Sequence, residues 1–244
     1  MTIPVLIFGS ATHPDISFSV DARRGYHFSC TNNFVLSLDF EKSPGDYVDW
    51  SVLLGMSSPH ICDLGPLYDN DDPDVGWRIV WPLLRESLGR LCQTKGEHAF
   101  LEAYFAFCET DSLSQKRNGY GLCSCPALIP QVWLNWIYYD PRNKERAART
   151  KREPFRVDFV MSDKGRKLVF EIDGESHFSE LVDVDQSSGR IKLDASMATY
   201  TEHLKKDRWL RSHGWEVWRF SDLEACDEQY DFRKEFESIG LSIR

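Results

Sequence analysis

Arg156-Val157-Asp158-Phe159-Val160 and, after the turn-like Ser162-Asp163-Lys164-Gly165-Arg166, Leu168-Val169-Phe170-Glu171-Ile172-Asp173-Gly174-Glu175-Ser176-His177 decide how this chain folds. Both segments alternate Val, Phe and Ile with other residues at a period of two, the pattern of strands. Lys164-Gly165 supplies a glycine where a tight turn needs positive φ, so the segments are expected to pair as an antiparallel hairpin. With the loop centred on that dipeptide, Asp158 falls opposite Glu171 and Arg156 opposite Asp173. Val157, Phe159, Met161, Leu168, Phe170 and Ile172 then share one apolar face, and the acids share the other. A three-residue loop with a bulge would slide this register by one.

Like charges directly opposed on a hairpin stand with Cβ atoms roughly 5 Å apart and destabilise it. A cation between them reverses the sign. Paired carboxylates suit a hard ion that takes oxygen ligands, Mg²⁺ or its substitute Mn²⁺. Such an ion activates a water and stabilises charge developing on a phosphodiester. The plainer reading is a charged strand face with Asp158 paired to an arginine. The convergence of Glu171, Asp173 and His177 on the same stretch favours the metal.

The same residues resemble the core of the restriction-endonuclease-like PD-(D/E)XK nucleases. The resembling branch is related to very-short-patch-repair endonucleases, whose strands read D-F and then E-(I/L/V)-D-G-x-x-H. The likeness continues in Lys206-Asp207-Arg208-Trp209-Leu210-Arg211-Ser212-His213-Gly214-Trp215-Glu216-Val217-Trp218-Arg219-Phe220, similar to that branch's helix, glycine and following strand. It covers roughly residues 94 to 225. The resemblance implies an α/β fold with an α-β-β-β-α-β core, a mixed sheet flanked by helices. It also implies a Mg²⁺-dependent endonuclease hydrolysing phosphodiester bonds in DNA, in restriction, repair, mobile-element or phage defence. The alternative is a catalytically inactive nuclease-fold module that binds nucleic acid or serves protein assembly.

Residue by residue, Asp158 and Glu171 match the family's two metal ligands. Where the superfamily often has Lys two residues after the Glu, this chain has Asp173, a departure that the branch shares and that leaves the water-orienting group open. Asp173 either adds to the metal site or pairs with Arg156 across the hairpin. His177 matches the motif's closing His and is either a general acid or base, its ordinary pKa being near neutrality, or a hydrogen-bonded structural residue. Glu97 has two readings as well. Thr94-Lys95-Gly96-Glu97 is a capping-box pattern in which Glu97 reaches back to the Thr94 amide, whereas the family's first helix carries an acid that approaches the metal. Gln131 stands where related nucleases place a Gln in the first core strand, or is an exposed polar residue alternating with Val132 and Leu134. Lys206, three after His203 and four before Leu210, either replaces the missing strand lysine or snorkels outward.

Charge is uneven along the chain. The formal net charge of −9 is not that of a generic nucleic-acid binder, so any such contact must be local and salt-sensitive. Arg142, Lys144, Arg146, Arg149, Lys151, Arg152 and Arg156 stand against only Glu145 and Glu153, and this run leads straight into the Asp158 strand. It is the expected phosphate-contacting segment; a solvated loop is the plainer alternative. Trp133, Trp136, Tyr138 and Tyr139 nearby are placed to stack on bases or to fill the core. Up to Lys95 there are 12 acidic and 7 basic residues, which points that half toward a protein partner rather than DNA. A homodimer cutting both strands is compatible with all of this.

Seven cysteines without regular spacing form no metal framework and read as reduced thiols of the cytoplasm. Neither a signal peptide nor a membrane-length apolar run stands out. Two regions are expected: a β-rich module over residues 1–80 of unknown role, and a nuclease-like domain over 81–244. The first has strand-like runs at 3–8, 17–20, 27–29 and 34–40, and a solvated connector at 69–74. The second reads as helix 82–92 with Pro82 in its first turn, helix 95–109, strands 127–138, 155–161 and 167–173, helix 198–213 stopped by Gly214, strand 215–220 and helix 228–239. Residues 179–195 read as a mobile flap.

Overall fold

The computed structural model describes residues 6–12, 14, 16–21, 25–30, 32–36, 50–53, 73–114, 125–134, 155–185 and 190–241. Its hairpin forms as the turn chemistry requires. β6 (Phe155–Asp163) and β7 (Arg166–Asp173) are joined by Lys164 at φ 52° and Gly165 at φ 79°. Two successive positive φ values make the tight turn whose twist matches the flanking strands. The pairs run from Phe159↔Phe170 to Asp163↔Arg166, the expected register, which puts Asp158 opposite Glu171.

Around this hairpin a six-stranded sheet has the order β10-β7-β6-β5-β1-β4, with β1 at Leu6–Phe8, β4 at Phe34–Leu36, β5 at Ile129–Leu134 and β10 at Trp215–Ser221. β7 and β10 are parallel and every other pairing is antiparallel, so the sheet is mixed. Helices α1 (Pro73–Gly89), α2 (Lys95–Ser114), α3 (Met197–Ser212), α4 (Asp222–Cys226) and α5 (Phe232–Ser238) flank it. Two separate hairpins complete the description, β2 (Ile16–Asp21) with β3 (Gly25–Cys30), and β8 (Ser179–Asp185) with β9 (Arg190–Ala195). Among the described residues no helix is long and apolar enough to cross a membrane.

The registers line up one transverse row. Pro130↔Phe159 and Val132↔Val157 put Gln131 opposite Asp158, and the parallel pairing sets Arg219 beside Glu171. Gln131, Asp158, Glu171 and Arg219 therefore cross four neighbouring strands in sequence.

On the face opposite the acids, α2 packs through Phe100. Its ring lies 5.3–5.6 Å from those of Phe159, Phe170, Phe220, Phe232 and Phe236, spacing at which tilted and edge-to-face aromatic pairs attract beyond their area burial. This cluster welds α2 and α5 to β6, β7 and β10. A second aromatic group joins the 3₁₀ turn Trp50–Leu53 to the helices: Trp50 stacks on Phe105 at 5.1 Å and meets Trp81 edge-on at 5.6 Å. On the acid face lies α3, capped by the Ser196 hydroxyl, which accepts from the Thr199 amide. Gly214, at φ 77°, ends it.

Several expectations change. The helix expected at 82–92 starts at Pro73 and runs through Pro82, so Pro73 holds the permissive first-turn position and shortens the connector; residues 69–72 lie outside those described. The strand expected over 127–138 is β5, with 135–138 outside the description. The last helix, expected from 228, begins only at Phe232, after the Asp231 cap. A short unexpected α4 precedes it, fixed by a reciprocal capping box between Ser221 and Glu224. The expected flap at 179–195 contains the hairpin β8–β9, with an irregularity between Leu181 and Asp183. Finally, β1 pairs with β5 and β4 with β1, so the sheet runs across the boundary drawn near residue 80.

Candidate functional site

Asp158 and Glu171 are buried at the centre of the row, 5% and 0% exposed. The paired ladder of β6 and β7 ends at Phe159↔Phe170, and just beyond it Asp158 Oδ2 accepts from the Ile172 amide at 2.7 Å. A side chain thus takes the backbone donor next to Glu171. Burial and the charge of Glu97 push the Asp158 carboxyl up, against the pull of the Ile172 amide and Lys206. Glu171 goes further: burial raises it to about 7, although Lys206 opposes. Lys206 Nζ lies 2.6 Å from Glu171 Oε1, while Oε2 is buried with no hydrogen-bond partner. The lysine on α3 points inward to the carboxylate rather than snorkelling.

Glu97 approaches from the other side, in the first turn of α2. Thr94 Oγ1 caps the helix by accepting from the Glu97 amide at 3.0 Å. The reciprocal half differs from expectation: Glu97 Oε2 accepts from the Gln93 amide at 2.6 Å, one residue before Thr94. The same oxygen accepts from Gln131 Nε2 at 2.7 Å. Capping and site-building therefore share one carboxylate. Burial raises the Glu97 carboxyl, with Glu171 adding to it and Arg156 opposing. Gln131 is fully buried, not an exposed alternating residue. Its φ of 56° breaks the strand's alternation, a conformation that costs on the order of 1 kcal/mol or more and persists where surroundings over-determine it. The amide Oε1 has no hydrogen-bond partner.

Asp173 is spoken for. Arg219 donates to both of its oxygens at 2.6 and 2.7 Å, and His177 Nδ1 is 2.5 Å from Oδ1. Burial opposes, but these contacts hold the Asp173 carboxyl down at about 2. Of its two expected roles, pairing is the one observed, with Arg219 and His177 in place of Arg156. His177 is raised by its bond to Asp173, and its ring stacks on that of His203 at 4.7 Å. Burial and the neighbouring His177, Lys206 and Arg219 charges push His203 down to about 4. Arg219 also grips Asp207 of α3 through Nε and Nη2 at 3.3 and 2.8 Å.

The structure thus brings together Glu97, Gln131, Asp158, Glu171 and Lys206, with Asp173 and His177 one step along the same strand end. Of the basic run only Arg156 is described, and it is half-buried. Arg142, Lys144, Arg146, Arg149, Lys151 and Arg152 lie outside the described residues, as do Trp136, Tyr138 and Tyr139. Trp133 donates its indole N–H to the Ser10 carbonyl at 2.8 Å, a tie between β5 and the chain after β1. Sequence reasoning gave no role to Arg219, Asp207 or His203. The signal for Arg219 and Asp207 is weak but present: each lies within the run similar to the nuclease helix and strand. His203 lies one turn before Lys206, on the same helix face.

Chemically, Asp158 and Glu171 set two buried carboxylates on adjacent strands with one ammonium against Glu171, and Glu97 is near enough for its charge to raise Asp158. The described residues whose ligand atoms gather within 4.8 Å of one another are instead Asp173, His177 and His203. Comparison with known proteins adds nothing to this geometry: no protein-family model, no curated protein and no solved structure matches the chain.

Proposed function

We propose that the chain is a metal-dependent endonuclease acting on DNA, its sheet and helices forming a restriction-endonuclease-like core. One observation carries this reading: Asp158 and Glu171 are buried side by side on adjacent strands, with Lys206 Nζ 2.6 Å from Glu171 and Glu97 at their flank. A purely structural role would place such acids against cations enough to neutralise them. Here Glu171 Oε2 and Gln131 Oε1 remain buried oxygens without partners, and the carboxylates raise one another's pKa.

That donor set fits a hard divalent cation. Asp158, Glu171 and Glu97 would hold Mg²⁺ or Mn²⁺, which supplies water activation and stabilises charge on the phosphodiester. The protein's own contribution is orientation and proton placement. Lys206 brings an ammonium to the Glu171 carboxylate from α3, filling the role of the superfamily lysine whose strand position is occupied here by Asp173. Asp173, anchored by Arg219, fixes the His177 ring and orients it as the candidate acid or base. Arg156 and the basic run before it supply the phosphate contacts. Because that binding rests on local phosphate neutralisation, it weakens steeply with salt.

Supercoiled plasmid, single-stranded DNA and RNA incubated with the full chain and Mg²⁺, Mn²⁺ or chelator test the reading. Cation-dependent cleavage by wild type is expected to fall about a hundredfold or more in Asp158→Ala and Glu171→Gln. Calorimetric titration with Mn²⁺ gives a readout free of substrate choice. Heat of binding that is absent, or unchanged by Glu171→Gln, would remove the proposal.

A further inference from the structure

Asp173, His177 and His203 bring three ligand-bearing atoms within 4.8 Å of one another, outside the carboxylate pocket. We propose that they form a second cation site, selective for a borderline first-row ion of the Zn²⁺ and Co²⁺ type and separate from the oxygen pocket of Asp158 and Glu171. The difference is chemical. Two imidazoles and one carboxylate suit Zn²⁺ and its neighbours, whereas Mg²⁺ takes oxygen and keeps its waters.

Three elements converge there. Asp173 closes β7, His177 ends the 3₁₀ turn Glu175–His177, and His203 lies on α3. The turn puts Asp173 and His177 in direct contact, and the stacked His203 ring covers them from the helix. An independent observation points to a missing ligand: His203 Nδ1 is buried with no hydrogen-bond partner. Buried ring nitrogens are almost always partnered in folded proteins, and an ion supplies the partner.

Arg219 on the Asp173 carboxylate does not block the site. Each carboxylate oxygen offers two lone-pair directions, so the guanidinium holds one side while the ion takes another. With Asp207 behind it, Arg219 then orients a ligand in the way that outer partners commonly do. Ligands of one such ion, at about 2.1 Å each, stand no more than about 4.2 Å apart. Because Asp173 Oδ1 and His177 Nδ1 stand only 2.5 Å apart, that contact opens as the ion enters, while His203 lies within 4.8 Å of both. With three protein ligands the ion keeps an open position. Occupancy would also clip the turn after β7 to α3, the helix that carries Lys206 to Glu171. The site stands on its own geometry; an ion bound there takes His177 as a ligand, so in the occupied state His177 is not the acid or base of the nuclease reading.

Visible-absorption titration of the metal-free full chain with Co²⁺, under excess Mg²⁺, tests it. One Co²⁺ per chain, with ligand-field bands of a nitrogen-containing site and displacement by Zn²⁺, is expected for wild type and equally for Glu171→Gln. His203→Phe keeps an aromatic ring on His177 but removes the ligand, and should weaken binding at least about tenfold. His203→Asn and His177→Gln should do the same, with circular dichroism identifying the folded variants. No Co²⁺ uptake by wild type overturns the proposal. So does uptake that survives His203→Phe and His203→Asn yet disappears in Glu171→Gln, since that ion sits among the carboxylates. Mg²⁺-dependent cleavage by wild type is read separately, so either reading can fail without the other.

Discussion

At the scale of single residues, the site is built against stability. Three carboxylates, Glu97, Asp158 and Glu171, are each raised by burial, and each feels the negative charge of another. Lys206 offsets only part of this. Neutralising one acid while keeping its hydrogen bond should therefore stabilise the metal-free protein. Asp158→Asn does so, because its carbonyl oxygen still accepts from the Ile172 amide. In chelator, urea unfolding should show a gain of roughly 1 kcal/mol, while cation-dependent cleavage disappears. A loss of stability in that variant would mean that Asp158 is held by a structural cation partner and not poised for an ion. The neighbouring thiol reports on the same field. Cys92 is pushed up by burial first and then by Glu97, Asp158 and Glu102, so the thiolate that alkylating reagents need is scarce there. At pH 8 iodoacetamide should label exposed Cys226 well before Cys92, as peptide mass mapping would reveal; comparable rates would place Cys92 in a different environment.

Between elements, close approach and ion pairs set where the site residues stand. Gly96 is the tightest such point: its amide donates to Asp222 Oδ1 at 3.0 Å, and a Cβ would come within 2.1 Å of that oxygen and 3.0 Å of Ile172 Cγ2. Gly96→Ala must push α2 away from α4 and β7, and Glu97 moves with it. The expected cost is about 1–3 kcal/mol in chemical unfolding, with Mn²⁺ affinity reduced in calorimetry; an unchanged affinity would show that Glu97 is not a ligand. On the far side of the sheet, Arg166 joins β7 to β10 through both oxygens of Glu216, at 2.9 and 2.6 Å, and donates to the Ile239 carbonyl at 2.8 Å. The bond from Arg166 holds the Glu216 carboxyl below its ordinary value. A depressed acid contributes stability that is present above its unfolded pKa, about 4.3, and lost as pH falls through the folded one. The pair is partly exposed, so its share is only about 0.5 kcal/mol. The stability gap between wild type and Arg166→Ala should accordingly narrow below pH 4, and a gap that widens there would contradict this origin. The hairpin was legible in the sequence because its register is local, set by Lys164-Gly165 and the alternation on either side. The neighbours of Asp173 were not, because Arg219 reaches it only through a parallel register between strands more than forty residues apart. Gln131 was legible as a position but not as a conformation: nothing in Ile129-Pro130-Gln131-Val132 announces a left-handed residue inside a strand.

For the molecule as a whole, the question is whether the first eighty residues are an appendage or part of the fold. Composition drew a line there, since acids outnumber bases up to Lys95 and the run of short strands changes to helices. Pairing ignores that line. β1 lies between β4 and β5 in the same sheet as the site, with Ile7 against Trp133 and Phe8 against Val132. Ile7, Phe8, Trp50 and Leu53 are all fully buried, and Trp50 stacks on Phe105 of α2. Fully burying each such side chain contributes about 1.5–3 kcal/mol, so the four together supply roughly 6–12 kcal/mol as an upper estimate. That is comparable to the entire net stability of an ordinary domain, about 5–15 kcal/mol. A chain beginning at Pro73 should therefore lose cooperative thermal unfolding, bare the β5 edge and aggregate. Its failure should trace to lost packing: in the full chain, Trp50→Ala alone should cost about 3–5 kcal/mol while leaving Mn²⁺ stoichiometry unchanged under folding conditions. A shortened chain that melts in one transition near the wild-type temperature and still binds Mn²⁺ would instead establish residues 73–244 as an independent unit.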